Sequence, residues 1–128
     1  MQLPVTLLYG GLTAVLVTAL GLHVSLGRLS EKQGVGRSGS SALTRRIRAH
    51  GNAAEWAPLG IVLLAILELS GLSSAPLHGL GGLLFASRLL HAAGMLLRLP
   101  TGAVAAGMTY LYTFTAGGWA VWLHVAQR

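Results

Sequence analysis

The sequence predicts an all-α integral membrane protein, a bundle of four transmembrane helices. Three observations carry that expectation. Of the 128 residues, 53% are hydrophobic and only 9% are charged, against about 25% charged in an ordinary soluble domain. The apolar residues gather into stretches long enough to cross a bilayer as helices, which takes about 20 residues each. The charges gather between those stretches. A soluble globule is excluded, and the expected organisation is a single membrane domain over residues 1–128 with spans at about 3–26, 49–70, 77–97 and 101–126. The absence of cysteine excludes a disulfide framework, a thiolate metal site and a cysteine nucleophile.

The first stretch has no charged side chain from Met1 to Gly27, and its apolar run extends from Leu3 to Leu26. It reads as a span rather than a cleaved signal peptide, because it lacks a basic leading segment and exceeds the roughly 7–15 apolar residues of such peptides. Arg28 to Arg48 follows, with Arg28, Lys32, Arg37, Arg45, Arg46 and Arg48 opposed only by Glu31 and interrupted by glycines and serines. That composition predicts a polar, flexible loop. Ala49 to Ser70 is apolar again, through WAPLGIVLLAILELS, and GLSSAP from Gly71 to Pro76 makes a turn. The third stretch, Leu77 to Leu97, closes on Arg98-Leu99-Pro100, where proline restricts the residue before it and ends the helix. Thr101 to Gln127 contains no Asp, Glu, Lys or Arg.

The formal charge of +6 has a topological reading. The first connection holds six of the nine Lys and Arg residues, the third has Arg98 at its edge, and the second has none. The positive-inside rule then places the first and third connections in the cytoplasm and both termini on the opposite side. No nucleic-acid partner is expected, because no basic groove interleaved with aromatic residues is present. His23, His50, His78 and His124 are too scattered along the chain to suggest a metal site. Small residues recur at spacing four, as Ala53 with Ala57, Gly102 with Ala106, and Ala116 with Ala120. Such pairs let helices approach closely.

Charges inside the spans are the functional candidates. An arginine at a helix centre costs about 2.5–3.5 kcal/mol on insertion scales, whereas each leucine returns about 0.3–0.6. The eight leucines from Leu77 to Leu97 therefore return roughly 2.4–4.8 kcal/mol, most of which Arg88 offsets. Arg88 must face protein, water or a ligand. At 100° per residue, Arg45, Arg48, Asn52 and Glu55 fall within about 80° of one another on the second helix, and Arg88, His91, Met95 and Arg98 form a similar stripe on the third. Both stripes run toward the cytoplasmic side. Together they offer guanidinium groups for carboxylates, an amide for hydrogen bonds and one carboxylate for an amine.

Each of these residues also has a structural reading. Arg48, Asn52 and Glu55 fit an interhelical polar network as well as a ligand site. His91 fits a packing histidine, Glu68 a wet interfacial residue or a proton site, and Arg45 and Arg46 interface anchors. Trp56, Trp119 and Trp122 suit the aromatic belts at helix ends. Pro58 removes one helical hydrogen bond and kinks the second span.

The run Arg48-Ala-His-Gly-Asn52-Ala-Ala-Glu55-Trp56-Ala-Pro58-Leu59 resembles the signature of the MAPEG family, the membrane-associated proteins of eicosanoid and glutathione metabolism. Arg88-Leu-Leu-His91-Ala-Ala-Gly94-Met95 resembles the family's third-helix segment. Glu68 and the stretch from Leu77 to Gly81 are most similar to bacterial inner-membrane members. The four-span plan extends the resemblance over essentially the whole chain, with the first and fourth helices matching by pattern only.

The resemblance implies a homotrimer of four-helix bundles with glutathione bound as co-substrate between subunits near the cytoplasmic face. It implies Arg48, with Arg28 or Arg88, as partners for the two carboxylates, Glu55 for the ammonium and Asn52 for the peptide backbone. It also implies His91 as a glutathione-site residue, standing where relatives acting on eicosanoids often have tyrosine. The implied activity is that of a glutathione transferase or peroxidase acting on lipophilic electrophiles from the bilayer. The alternative is a non-catalytic membrane protein that binds lipid or glutathione. One departure bears on catalysis. The family's transferases use an arginine near the start of the fourth helix to stabilise the thiolate, and Thr101 to Tyr110 here has no cation. Arg98 is the nearest replacement in sequence, and Tyr110 or Tyr112 offers a hydrogen bond instead.

Overall fold

The computed structural model describes residues 2–34 and 39–126, so that Met1, Arg37, Arg128 and the neighbours of Arg37 at 35, 36 and 38 lie outside the described residues, as does Gln127. Four helices follow in chain order: α1 (Pro4–Ser30), α2 (Ser41–Leu69), α3 (Ser74–Leu97) and α4 (Thr101–Ala126). The first three are long and apolar enough to cross a membrane. The fourth has 26 residues and no Asp, Glu, Lys or Arg.

The helices alternate in direction through short connections. α2 and α3 form the central pair, each packed on the other and on both flanking helices, while α1 and α4 lie apart. Small residues permit this closeness. On α2, Ala53, Ala57 and Gly60 are all buried, and Gly60 lies against the Leu84 methyl groups of α3. One apolar cluster joins Val5, Leu64, Leu67, Leu77, Leu80, Leu84, Tyr112 and Ala116. A second joins Leu20, Ala49, Ala53 and Ala92. Between Leu84 and Ala92 along α3 come the buried polar residues Ser87 and Arg88, so the core has a polar layer between two apolar ones.

The expected loop from Arg28 to Arg48 is corrected to a much shorter connection. Arg28 belongs to the last turn of α1, and Arg45, Arg46 and Arg48 belong to the first turns of α2. Backbone hydrogen bonding continues a helix beyond the membrane surface wherever the residues are good helix formers and a cap sets the start. Ser40 is that cap, its hydroxyl accepting from the Leu43 N–H at 3.1 Å. Glu31 at the end of α1 holds Ser40 in turn, accepting its backbone N–H at 2.9 Å and its hydroxyl proton. Those two bonds from Ser40 hold the Glu31 carboxyl below the usual carboxylate range, the nearby charge of Arg46 adding to them.

The third helix stops at Leu97, with Arg98 in the left-handed region at φ 58°. That conformation closes the helix before Pro100.

Glu68 receives a structural role that its position near a helix end left open. Proline at the first position suits the start of α1, since its missing N–H would have been unpaired there. The residue before it, Leu3, provides no side-chain cap. Glu68 reaches across from the end of α2 instead. Its two carboxylate oxygens accept the Val5 and Thr6 N–H groups at 2.9 and 2.8 Å, where the helix dipole also favours a negative charge. Replacing Glu68 by Ala will lower stability by about 1–2 kcal/mol, the cost of losing a good helix cap. Thermal unfolding in detergent measures this.

Candidate functional site

The residues flagged in the sequence divide between two adjoining cavities and several outlying positions. Arg88 is the centre of the arrangement. It is 1% exposed, and it donates to Asn52 Oδ1 of α2 at 2.8 Å and to Thr109 Oγ1 of α4. Longer contacts reach the Asn52 carbonyl at 3.5 Å and Ser87 Oγ at 3.4 Å. One side chain thereby joins the three helices α2, α3 and α4. Inside the bundle the partners of the arginine among the described residues are neutral oxygens, with no carboxylate beside it.

Beside the guanidinium lies an inner cavity of about 80 Å³, lined by Asn52, Trp56, Arg88, His91, Ala106, Thr109 and Tyr110. His91 Nδ1 is buried there without a hydrogen-bond partner among the described residues. Trp56 and Tyr110 meet edge to face across the cavity's rim, with ring centroids 5.8 Å apart. Trp56 therefore lines the cavity, a contact that its reading as a belt residue did not anticipate. Thr109 was missed altogether. The uncharged fourth segment offers no signal in its sequence that would single out one threonine among several. Trp56, by contrast, stands four residues after Asn52 and so shares its face.

An outer groove of about 320 Å³ lies on the other side of Asn52, lined by Ile47, Arg48, Gly51, Asn52, Glu55 and Met95. This groove brings together Arg48, Asn52 and Glu55 as their spacing required, with Met95 of α3 as its far wall. Arg48 and Glu55 are exposed and Asn52 is half-buried. The two cavities share Asn52. A ligand in the groove would meet a cation, an amide and a carboxylate along about two turns of one helix.

The remaining candidates lie elsewhere. Arg28 is half-buried at the end of α1, where its Nη1 donates to the Gly34 carbonyl at 2.9 Å. It lines a separate groove with Ser25, Leu29, Lys32, Gln33 and Gly34. Arg98 is exposed at the end of α3 and lines neither cavity. Tyr112 is 1% exposed and its hydroxyl donates to the Gly60 carbonyl at 2.5 Å, so of the two tyrosines on α4 only Tyr110 faces the inner cavity. Arg46 packs against Gly27 and donates to the His23 carbonyl at 3.4 Å, fastening α2 to α1.

The MAPEG family model matches residues 6–125, a range that includes all of α2 and α3 and nearly all of α1 and α4. The chain is 37% identical over 95 residues to Inner membrane protein YecN of Escherichia coli K12, covering 74% of this chain and 72% of that one. The YecN of Escherichia coli O6:H1 strain CFT073 matches equally. The matched range takes in both polar stripes and the cavities between them, and the chain belongs to the MAPEG family.

Proposed function

We propose that this protein is a glutathione-binding integral membrane protein of the bacterial inner membrane, a glutathione transferase or peroxidase acting on lipophilic electrophiles. The observation that carries the reading is the placement of Arg48, Asn52 and Glu55 along one groove backed by the buried Arg88. Glutathione has two carboxylates, one ammonium and one thiol. A guanidinium, a carboxylate and an amide in one groove are the complementary set. At about 320 Å³, the groove falls within the range of roughly 300–1,000 Å³ typical of small-molecule sites. Bound thiolate is the nucleophile toward an electrophile arriving through the bilayer. Assay of the purified protein with glutathione and a generic lipophilic electrophile tests the activity.

A second reading, a non-catalytic protein that binds lipid or glutathione, is favoured by the absence of a cation from Thr101 to Tyr110. Glutathione binding without turnover in that assay would establish it.

The groove lies on the surface of one bundle, with Glu55 and Arg48 exposed. Charged groups on a spanning helix are covered by protein or water rather than lipid. A homotrimer in which a neighbouring copy closes the groove satisfies that demand. Light scattering in detergent will give a mass near three chains, and a monomer alone would contradict it.

All four helices span the membrane in this reading. The basic residues at the α1–α2 and α3–α4 ends then face the cytoplasm and both termini face away. A reporter fused after Ala126 will be active only on the non-cytoplasmic side.

A further inference from the structure

We propose that the inner cavity is the thiol subsite, and that Arg88 is the cation stabilising the bound thiolate, the role for which α4 has no arginine. The inference rests on the glutathione reading and deepens it. Arg88 carries a full positive charge, is 1% exposed and sits in the middle of a spanning helix. Its hydrogen-bond partners are Asn52, Ser87 and Thr109, all neutral. A buried cation satisfied only by neutral oxygens keeps most of its electrostatic cost, and a small anion beside it removes that cost.

The cavity has room for such a group. Its volume of about 80 Å³ is several times the roughly 10–15 Å³ that a single water requires on this measure, enough for a thiol and its methylene. The bonds from Arg88 to Asn52 and Thr109 fix the guanidinium at the cavity wall, so its charge requires little reorganisation to meet a sulfur anion. Trp56 and Ala106 supply apolar wall, which suits polarisable sulfur better than a hydrated carboxylate.

Chain geometry of the ligand favours the same assignment. The thiol of glutathione belongs to its middle residue, between the two charged ends. If those ends engage Arg48 and Glu55 in the outer groove, the middle residue lies against Asn52, the one side chain that both cavities share. The thiol, directed past Asn52, is then on the side of Arg88. Tyr110 at the rim is 53% exposed, which leaves a side open for the electrophile.

The titratable groups facing the cavity are Arg88 and His91 from α3 and Tyr110 from α4. α2 contributes the neutral Asn52 and Trp56, with Glu55 in the outer groove beyond Asn52, and α1 contributes nothing. Ionisation breaks the S–H bond. The proton leaves to bulk water and the electron pair stays on sulfur beside the guanidinium.

Thiolate absorbance of saturating glutathione on the full-length protein, titrated against pH, tests the assignment. In the wild type the thiol will titrate at least one unit below its ordinary value of about 8.5. Arg98→Ala, a change at an exposed side chain, will leave that value in place. Arg88→Gln will return it to the ordinary range, and Arg88→Lys, which keeps charge without the fork, will fall between. If Arg88→Gln does not fold, Thr109→Val removes one anchor of the guanidinium and will raise the value part of the way. A depressed value that survives Arg88→Gln or Thr109→Val unchanged, or that disappears in Arg98→Ala, overturns the assignment while leaving glutathione binding intact. Absence of any calorimetric binding of glutathione overturns the functional reading itself, and this inference with it.

Discussion

Replacing Glu55 by Gln will weaken glutathione binding tenfold or more. Glu55 is the only carboxylate lining the outer groove, and a hydrogen bond to a charged group contributes about 1.5–3 kcal/mol. Each 1.4 kcal/mol is about a factor of ten in affinity. The glutamine keeps the shape and loses the charge, so the fold should persist. Arg48→Ala will act in the same direction on a carboxylate. Because Arg48 and Glu55 are exposed in the chain and neither is a partner of Arg88, thermal unfolding without ligand will be little altered. Calorimetric titration of the two variants checks the affinities. Unchanged affinity in both would reduce the stripe to a network between helices.

Placing Val at Gly81 will destabilise the bundle by about 3 kcal/mol, the upper part of the usual range for overpacking. Gly81 is buried on α3, and the Tyr9 ring of α1 occupies the space where a Cβ would stand. Tyr9 is held in that position by an edge-to-face contact with His78 at 5.8 Å between centroids. Backbone and ring therefore meet directly. Val demands that the ring leave or the helices part. Gly11→Ala is the control, since a Cβ there meets nothing within 4 Å and alanine is the better helix former. The double variant Gly81→Val with Tyr9→Ala should recover much of the loss in thermal unfolding. No recovery would mean that the damage arises elsewhere than in the ring contact.

The parts of this arrangement that were legible in the sequence are those that follow from helical spacing. Arg48, Asn52 and Glu55 share a groove because positions three and four apart on a helix share a face, and nothing in the packing overrides that. The proline at Pro100 marked where α3 would have to end. Arg88 was legible as a residue that must be covered, because its insertion cost is known without a structure.

What covers Arg88 was not legible. Thr109 is one of several threonines in an uncharged segment, and it becomes a partner only through the packing of α3 on α4. The same holds for Glu68, whose partners are two backbone N–H groups more than sixty residues away. Backbone donors have no residue identity, so sequence pattern does not point to them. The sequence also misled where composition stood in for structure. Arginines, glycines and serines from Arg28 to Arg48 read as loop, yet Ser40 caps a helix that already contains Arg45, Arg46 and Arg48. Arg98 was legible as the cation nearest in sequence to the fourth segment, but not as an exposed residue at the end of α3 that lines neither cavity.

Calorimetric titration of the purified wild-type protein with glutathione decides whether the outer groove is a glutathione site. Saturable binding is expected, lost when the same tripeptide is offered with its amine acetylated, because Glu55 then has no ammonium to meet. Heats no larger than dilution at millimolar glutathione, or equal affinity for the acetylated tripeptide, would contradict it.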